Sequence, residues 1–487
     1  MQDKYLAIDQ GTSATKAILF DRNGAILGSG KQEYGVQKRE GGYAEQDPEE
    51  LWAAAVQSAL TAMGNCPPKE IAAMGLSVQT GAFLLWHKIT GMPMTPVIAW
   101  QCKRGRYFLD SLSLKEKERF YETVSNQLEE DGVPAKLAYV FVENPALYTA
   151  AEENNLLFGT MESWLIWRLT GGKSHKSDIT NACITRLYLE KENRWNQEAL
   201  KILGIPSNIF PEVVDNSTYM GTVSTPGLAG IEIHSAMGDS AAAMFGECCW
   251  ERGQSKITYG TGASYLVHLN DGKERFYLPD VFLGWRMSGN SHYVWEGTLS
   301  HAGSLVEWLK QLGIITAPAE TESLAKALDD NGGVYFFPET VFGGIEQNIF
   351  WGTDFRTKKS HLARAVLESI AFRIRDMQKA LERAGLETKG EIHADGGMAA
   401  NDFLMQFQAD ILGQDIIYNR HRNMSAYGAF LMAAFSKGFL SLEEIRALKH
   451  ENRCYHPMMS AKKRDEYLQE WERAKERLNK TIFPEDL

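Results

Sequence analysis

Short apolar runs broken by polar turns open the chain. Residues 5–10 and 16–21 are apolar runs on either side of Gly11-Thr12-Ser13, and 26–33 follows as a weaker third run. This pattern predicts an antiparallel three-strand meander. In "QDPEELWAAAVQSALTAMG" the period changes. Asp47 is placed to cap a helix with Pro48 at its first position. Leu51, Trp52, Ala55, Val56, Ala59, Leu60 and Met63 recur at helical spacing, and Gly64 ends the run. "IAAMGLSVQ" is apolar without alternation, which predicts a buried strand. Meander, helix and strand in that order suggest a ribonuclease-H-like α/β layer, not a parallel dinucleotide-binding fold.

The second half restarts the plan. "SKITYGTGASYLVHL" again reads as strand, glycine-threonine turn (Gly260-Thr261-Gly262) and strand. Helices are expected at 305–312 and 359–384, and "GEIHADGGMAANDFLMQF" reads as strand, glycine turn and helix. "MSAYGAFLMAAFSKG" predicts a compact helix, and "SAKKRDEYLQEWERAKERLNK" a charged amphipathic one. The two hairpins share little beyond "GT", so the sequence alone leaves a structural repeat open. The chain divides into residues 1–248, 249–440 and a helical tail at 441–487, with the junction near 245–253.

Composition narrows the classes. A chain of 487 residues is too long for one ordinary core. A formal net charge of -11 argues against non-specific nucleic-acid binding, which needs an excess of Lys and Arg. "MQDKYLAIDQ" lacks the charged and apolar regions of a secretory signal, and no apolar run is long enough for a membrane span. The cysteines and histidines are scattered without metal-ligand spacing, which predicts reduced thiols in a cytoplasmic protein without a structural zinc site.

Four features carry candidate chemistry. The turn at Gly11 offers backbone N–H groups for phosphate oxygens, with Thr12 and Ser13 as hydroxyl donors and Lys16 as a cation. Asp9, at the end of the preceding strand, is placed to hold magnesium directly or through water. The alternative is a plain solvent-facing hairpin. The second glycine-threonine hairpin strengthens the phosphate reading, because two such turns in two lobes suit phosphoryl transfer. "DGGMAAN", with Asn401 opening a helix, suits a nucleoside at the carboxyl end of a strand, although Asn401 is also an ordinary N-cap. In "AMGDSAAAMFG", Asp239 is either an N-cap or a general base for an attacking hydroxyl. The phosphate-loop pattern GxxxxGK[ST], the protein-kinase set and GxSxG are all absent.

"DQGTSATKAILFD", "GGYAEQDPEELW", "VIAWQCKRG", "LLFGTMESWLIWRLTGG", Gly238-Asp239, "YGTG", "LARAVLESIAF" and "DGGMAANDFLMQFQADILG" occur in that order. Together they resemble the FGGY carbohydrate kinases, and most closely their glycerol kinase branch. The resemblance implies two actin-like lobes with ATP and the acceptor in the cleft between them. It implies Asp239 as general base and Asp9 as the carboxylate that helps to hold Mg2+. Thr12, Ser13 and Lys16 match the first phosphate hairpin, with Lys16 where glycerol kinases have arginine, and Thr261 matches the second. Gly303, Gly397 and Asn401 match nucleotide contacts, and Glu307 stands where glutamine is usual. A homodimer or homotetramer is suggested as well.

The acceptor side departs from the glycerol pattern. Gln79, Thr80, Trp100, Asp239 and Ser240 occupy it. Thr80 and Gly81 stand where glycerol kinases carry an Arg-Glu pair that binds glycerol, Ser240 replaces glutamine and Ser264 replaces an aromatic residue. The "SNQLEEDGVPAKL" region is one residue short and lacks a clear match to the usual tyrosine. Losing the Arg-Glu pair removes charge-assisted hydrogen bonds. The expected acceptor is therefore a longer polyol, a ketose or an aldonic acid, with glycerol as the alternative. A sugar-sensing regulator and an actin-like ATPase are the remote alternatives.

Overall fold

The computed structural model describes residues 3–124, 128–270, 278–342, 345–419, 423–448 and 452–482. It forms two compact units. The first comprises Met1–Cys248, Phe282–Tyr293 and Asn423–Leu448; the second comprises Cys249–Val281, Val294–Arg422 and Lys449–Leu487. The units are thus not contiguous in sequence, unlike the division into 1–248, 249–440 and 441–487. Residues 282–293 and 423–448 return to the first unit.

The first unit is built on β1 (Lys4–Gln10), β2 (Ala14–Asp21), β3 (Ile26–Glu33), α1 (Pro48–Met63), β4 (Ile71–Val78), α2 (Val133–Glu143), β5 (Glu232–Gly238) and α3 (Asp239–Gly246). Asp47 caps α1 by accepting from Glu49 N and Glu50 N, and Gly64 closes it. The helix buries Leu51, Ala54, Ala55, Ala59 and Met63, whereas Trp52 stays at the margin with the Arg168 guanidinium 4.6 Å from its ring centroid. The sheet order is β3-β2-β1-β4-β5, with the short strand Gly221–Thr222 outside β5. β1, β4 and β5 are mutually parallel, and β2 is antiparallel to both β1 and β3. Every residue of β4 is buried, as its unbroken apolar run predicts.

The second unit repeats this order with β6 (Ser255–Tyr259), β7 (Ala263–His268), β8 (Asn290–Leu299, from Val294 onward in this unit), α4 (Gly303–Gln311), α5 (Lys359–Arg383), β9 (Ile392–Asp395), α6 (Asp402–Leu412) and β10 (Ile416–Asn419). The strands run β8-β7-β6-β9-β10, again with the second of the meander antiparallel to its neighbours and the rest parallel. The repeat that two shared residues left open is therefore present in the topology.

Next, α7 (Met424–Ser436) returns to the first unit and packs on β4 and α3. A β-carbon on Gly428 would overlap the Ala242 carbonyl oxygen, and one on Gly75 would overlap that of Ala429. Glycine at both places lets three backbones meet at van der Waals distance. Ser235 Oγ donates to Ala429 O at 2.8 Å and ties β5 to the same helix. β11 (Asn452–Tyr455) pairs antiparallel with β10, and α8 (Ala461–Ile482) ends the described chain.

The strand pattern did not announce a second, five-stranded sheet in the first unit. It orders Gln37–Arg39, Tyr43–Gln46, Val97–Ile98, Phe83–His87 and Leu156–Thr160. Beside it lies a buried carboxylate pair, Glu162 and Asp178, both fully inaccessible. Glu162 Oε1 accepts from Thr160 Oγ1 and Ser177 Oγ, each at 2.5 Å. Burial, and secondly the charge of Asp178, push the Glu162 carboxyl well above its ordinary range. The native state therefore keeps a proton that the unfolded chain loses above about pH 4.3, so this residue's contribution to stability falls as pH rises from there. Glu162→Gln retains an acceptor for both hydroxyls and removes the titration. Its urea midpoint is expected to decline less steeply between about pH 5 and pH 8 than that of the wild type; parallel profiles would contradict this.

Candidate active site

Three parallel strands bring the acceptor-side residues to one edge. In the registers of β1, β4 and β5, Gln10 pairs with Val78 and Val78 with Gly238, so all three strands end at one level. Residues at or just beyond these carboxyl ends are Asp9, Gln79, Thr80 and Asp239. This is where open α/β sheets place ligands. Gly238 is the N-cap of α3 and Asp239 its first residue, so Asp239 is not itself the cap. Its Oδ1 accepts from Ser240 N at 2.8 Å. The first turn of a helix favours a carboxylate through the unpaired N–H groups there. Thr80 packs on the strand end, its Cγ2 lying 2.5 Å from where a Gly238 β-carbon would be.

The Gly11-Thr12-Ser13 hairpin is held from several sides. Gly11 N donates to Ala14 O at 3.0 Å, Gln46 Nε2 to Thr12 O at 2.8 Å, and Tyr34 Oη to Gly11 O at 2.7 Å. Trp100 Nε1 donates to Thr12 Oγ1 at 3.0 Å, which leaves the threonine's own proton for a ligand. Ser13 is exposed, and Lys16 stands opposite Asp9 in the β1–β2 register. Ser77 Oγ donates to Asp9 Oδ1 at 2.9 Å. Burial nevertheless pushes the Asp9 carboxyl up, with Ser77 and Lys16 opposing. A divalent cation beside Asp9 would favour its charged form, so the residue fits the role of a magnesium ligand.

Gln46 also accepts from Gln79 Nε2 at 2.9 Å and so links the hairpin to the end of β4. Lys136 of α2 lies beneath the acceptor loops and is fully buried. Its Nζ donates to Gly81 O at 3.2 Å, Ala99 O at 3.1 Å and Trp100 O at 3.1 Å. Burial lowers its pKa to about 8. Sequence reading missed both residues. Lys136 had left a signal, a single cation within the apolar stretch "VPAKLAYVFV". The missing-tyrosine region lies partly at 125–127, outside the described residues.

The nucleotide-side residues gather on the second unit. Gly260 N donates to Gly262 O at 2.8 Å across the hairpin turn, Gly303 N to Gly260 O at 3.0 Å, and Ser304 N to Thr261 O at 3.0 Å. This seats the N-terminus of α4 on the turn. A cavity of about 800 Å³ opens there, lined in part by Thr261, Gly303, Glu307, Gly397 and Met398. It has room for a nucleoside. Asn401 caps α6, accepting from Leu404 N at 3.0 Å, and its Nδ2 donates to Thr321 Oγ1 at 3.2 Å. A buried pair that sequence reading missed, Lys256 Nζ to Asp395 Oδ2 at 3.0 Å, connects β6 with β9 below the two glycine turns. Ser264 donates to half-buried Glu296 within this unit, so its hydroxyl is already engaged.

A duplicated strand order with a glycine-threonine hairpin in each unit is the layout of the actin-like ATPase fold. Comparison with known proteins agrees. Residues 4–246 match the N-terminal domain of the FGGY family of carbohydrate kinases and residues 255–436 its C-terminal domain. A glycerol kinase of Dechloromonas aromatica is 36% identical over 98% of this chain and 98% of that protein. One from Carboxydothermus hydrogenoformans is 36% identical over 97% and 98%. The structure of Plasmodium falciparum glycerol kinase with ADP superposes with a TM-score of 0.88 at 25% identity, covering 98% of each chain. Xylulose kinase from Lactobacillus acidophilus, at 21% identity and a TM-score of 0.81 over 98% of each chain, shares the fold. The chain belongs to the FGGY family of carbohydrate kinases. It is a phosphotransferase acting on a sugar or polyol hydroxyl, with ATP and Mg2+. Among the described residues no helix is long and apolar enough to cross a membrane.

Replacing Lys136 tests the acceptor scaffold. Lys136→Met leaves three carbonyls without their donor, and each buried unpaired group costs about 1–3 kcal/mol. The expected loss of unfolding free energy in urea is roughly 2–4 kcal/mol. A change below about 0.5 kcal/mol, the level of an ordinary surface substitution, would show that the loops do not depend on the lysine.

Proposed function

We propose that this kinase phosphorylates a hydroxyl of a neutral polyol or ketose larger than glycerol, with Asp239 as the general base. The observation that carries the reading is the Thr80-Gly81 loop. Gly81 has φ +73°, a left-handed backbone that disfavours the glutamate glycerol kinases carry there. The loop is therefore built for glycine, and the Arg-Glu pair has no simple counterpart in it. An aldonic acid is disfavoured because the cations beneath these loops are engaged. Lys136 is occupied by three carbonyls, and buried Arg104 pairs with Glu45 and Glu143. The relatives' own names, glycerol kinase, support glycerol as the second reading.

In this mechanism Asp239 takes the proton from the acceptor hydroxyl, whose oxygen attacks the γ-phosphorus of ATP in line. The hairpin amides with Thr12, Ser13, Lys16 and Thr261 offset the charge developing on the transferred phosphoryl group. Asp9 would hold magnesium, which would supply positive charge to offset that of the polyphosphate. Gln79, Thr80, Trp100 and Ser240 orient the acceptor, and Gly303, Glu307, Gly397 and Asn401 the nucleoside. The family resemblance adds a cytoplasmic location and a homodimer or homotetramer to the proposal.

ADP release over a panel of glycerol, four- and five-carbon alditols, ketoses and aldonates tests it. A neutral alditol or ketose is expected to exceed glycerol in kcat/KM by roughly tenfold or more, the scale of one lost charge-assisted hydrogen bond. Glycerol as the best acceptor would reject the substrate assignment, and an aldonate as the best would reject its neutral character.

A further inference from the structure

No metal motif is visible in the spacing of cysteines and histidines, yet the fold assembles one at the edge of the second unit's sheet. Ile392 of β9 pairs with Ile416 of β10, and Ile416 pairs with Tyr455 of β11. One step beyond that row, the register sets Asp415 beside Glu391 on one side and His456 on the other. Cys454 and His456 are two residues apart along an extended chain, which puts both side chains on one face. Asp415 Oδ2 lies 3.0 Å from His456 Nδ1, and Cys454 Sγ lies 3.6 Å from the same nitrogen. All three donor atoms fall within 4.8 Å of one another. Around a tetrahedral zinc ion, an oxygen–nitrogen pair is about 3.3 Å apart and a sulfur–nitrogen pair about 3.6 Å.

The backbones carrying these donors are held independently of them. Gln406 Nε2 donates to His456 O at 2.8 Å, and Asp410 Oδ1 of the same helix, α6, accepts from Met458 N at 2.5 Å and Met459 N at 2.9 Å. Ile392 N donates to Asp415 O at 2.9 Å. The side chains of His456 and Asp415 are 70% and 43% exposed, so an ion reaches them from solvent.

We propose that Asp415, Cys454 and His456 form a binding site for a zinc-class divalent cation that clamps β11 to β10. One thiolate, one imidazole and one carboxylate select a borderline-soft ion over Mg2+ or Ca2+. Three protein ligands leave a fourth position for water. A bare His456–Asp415 ion pair accounts for two of the donors but leaves the placement of Cys454 without a function. Burial, and secondly Asp415 and Glu391, hold the Cys454 thiol up, so it carries its proton near neutral pH. Binding breaks the S–H bond, releases that proton to solvent and forms the sulfur–metal bond.

The test is a Co2+ titration of the metal-stripped, full-length protein, followed by absorbance. The expected result is a thiolate-to-cobalt charge-transfer band with tetrahedral visible bands, complete at one equivalent and displaced by Zn2+. Cys454→Ser is expected to abolish the charge-transfer band. Asp415→Asn is expected to weaken Co2+ binding roughly tenfold or more while leaving the thiol in place. In wild type, equimolar Zn2+ raises the thermal midpoint, and in Cys454→Ser it does not. The absence of a band at one equivalent, or an unchanged band in Cys454→Ser, would overturn the proposal. No disulfide joins any of the protein's six cysteines, so the serine variant separates this thiol from the other five.

Discussion

The common level at which three parallel strands end is the constraint on which the acceptor side depends. β1, β4 and β5 each deliver one polar group to the same edge: Asp9, the Gln79-Thr80 step and Asp239. They are placed by ladder register, and a one-residue slip in any of the three strands would turn a carboxylate or amide into the core. The register is protected from behind. α7 lies against β4 and α3 through Gly75, Gly428 and the Ser235–Ala429 hydrogen bond, which leaves no room for β5 or α3 to slide.

In the second unit the turn of the meander meets the N-terminus of α4, and the cavity of about 800 Å³ there is lined also by Gly397. The buried Lys256–Asp395 pair holds the two glycine turns together, much as Gln46 and Lys136 hold the loops of the first unit. In both units, buried polar groups bonded to backbone or to each other hold loops in place. Breaking such a group is costly because its partners are left unpaired in a water-poor interior.

The strand–turn–strand units, α1 with its Asp47 cap and the buried β4 were legible because each has a period or a punctuation residue of its own. The repeat was legible in outline, as a restarted strand–turn–strand plan and through the two lobes that the family resemblance implies, but its strand order was not, since that is a property of pairing. The return of residues 423–448 to the first unit was equally invisible, because the apolar α7 states that it is buried but not against what. At the proposed site, the candidates with motif character (Asp9, Thr12, Asp239, Thr261, Gly397) were named from sequence. Their supports could not: Gln46, Ser77, Lys136 and Lys256 act through tertiary contacts between segments far apart in the chain. The N-cap reading of Asp239 was one residue out, since Gly238 takes that position, whereas for Asn401 it describes the observed geometry.

The central claim is that Asp239 acts on the acceptor hydroxyl and not on the nucleotide. Asp239→Asn preserves size and hydrogen bonding at the start of α3 but removes the base, so steady-state turnover with the best acceptor, measured alongside the equilibrium affinity for MgATP, separates the two roles. The account predicts kcat lower by about 10²–10⁴-fold with nucleotide affinity changed by less than roughly threefold. Turnover close to wild type, or a loss explained by weakened MgATP binding, would contradict it.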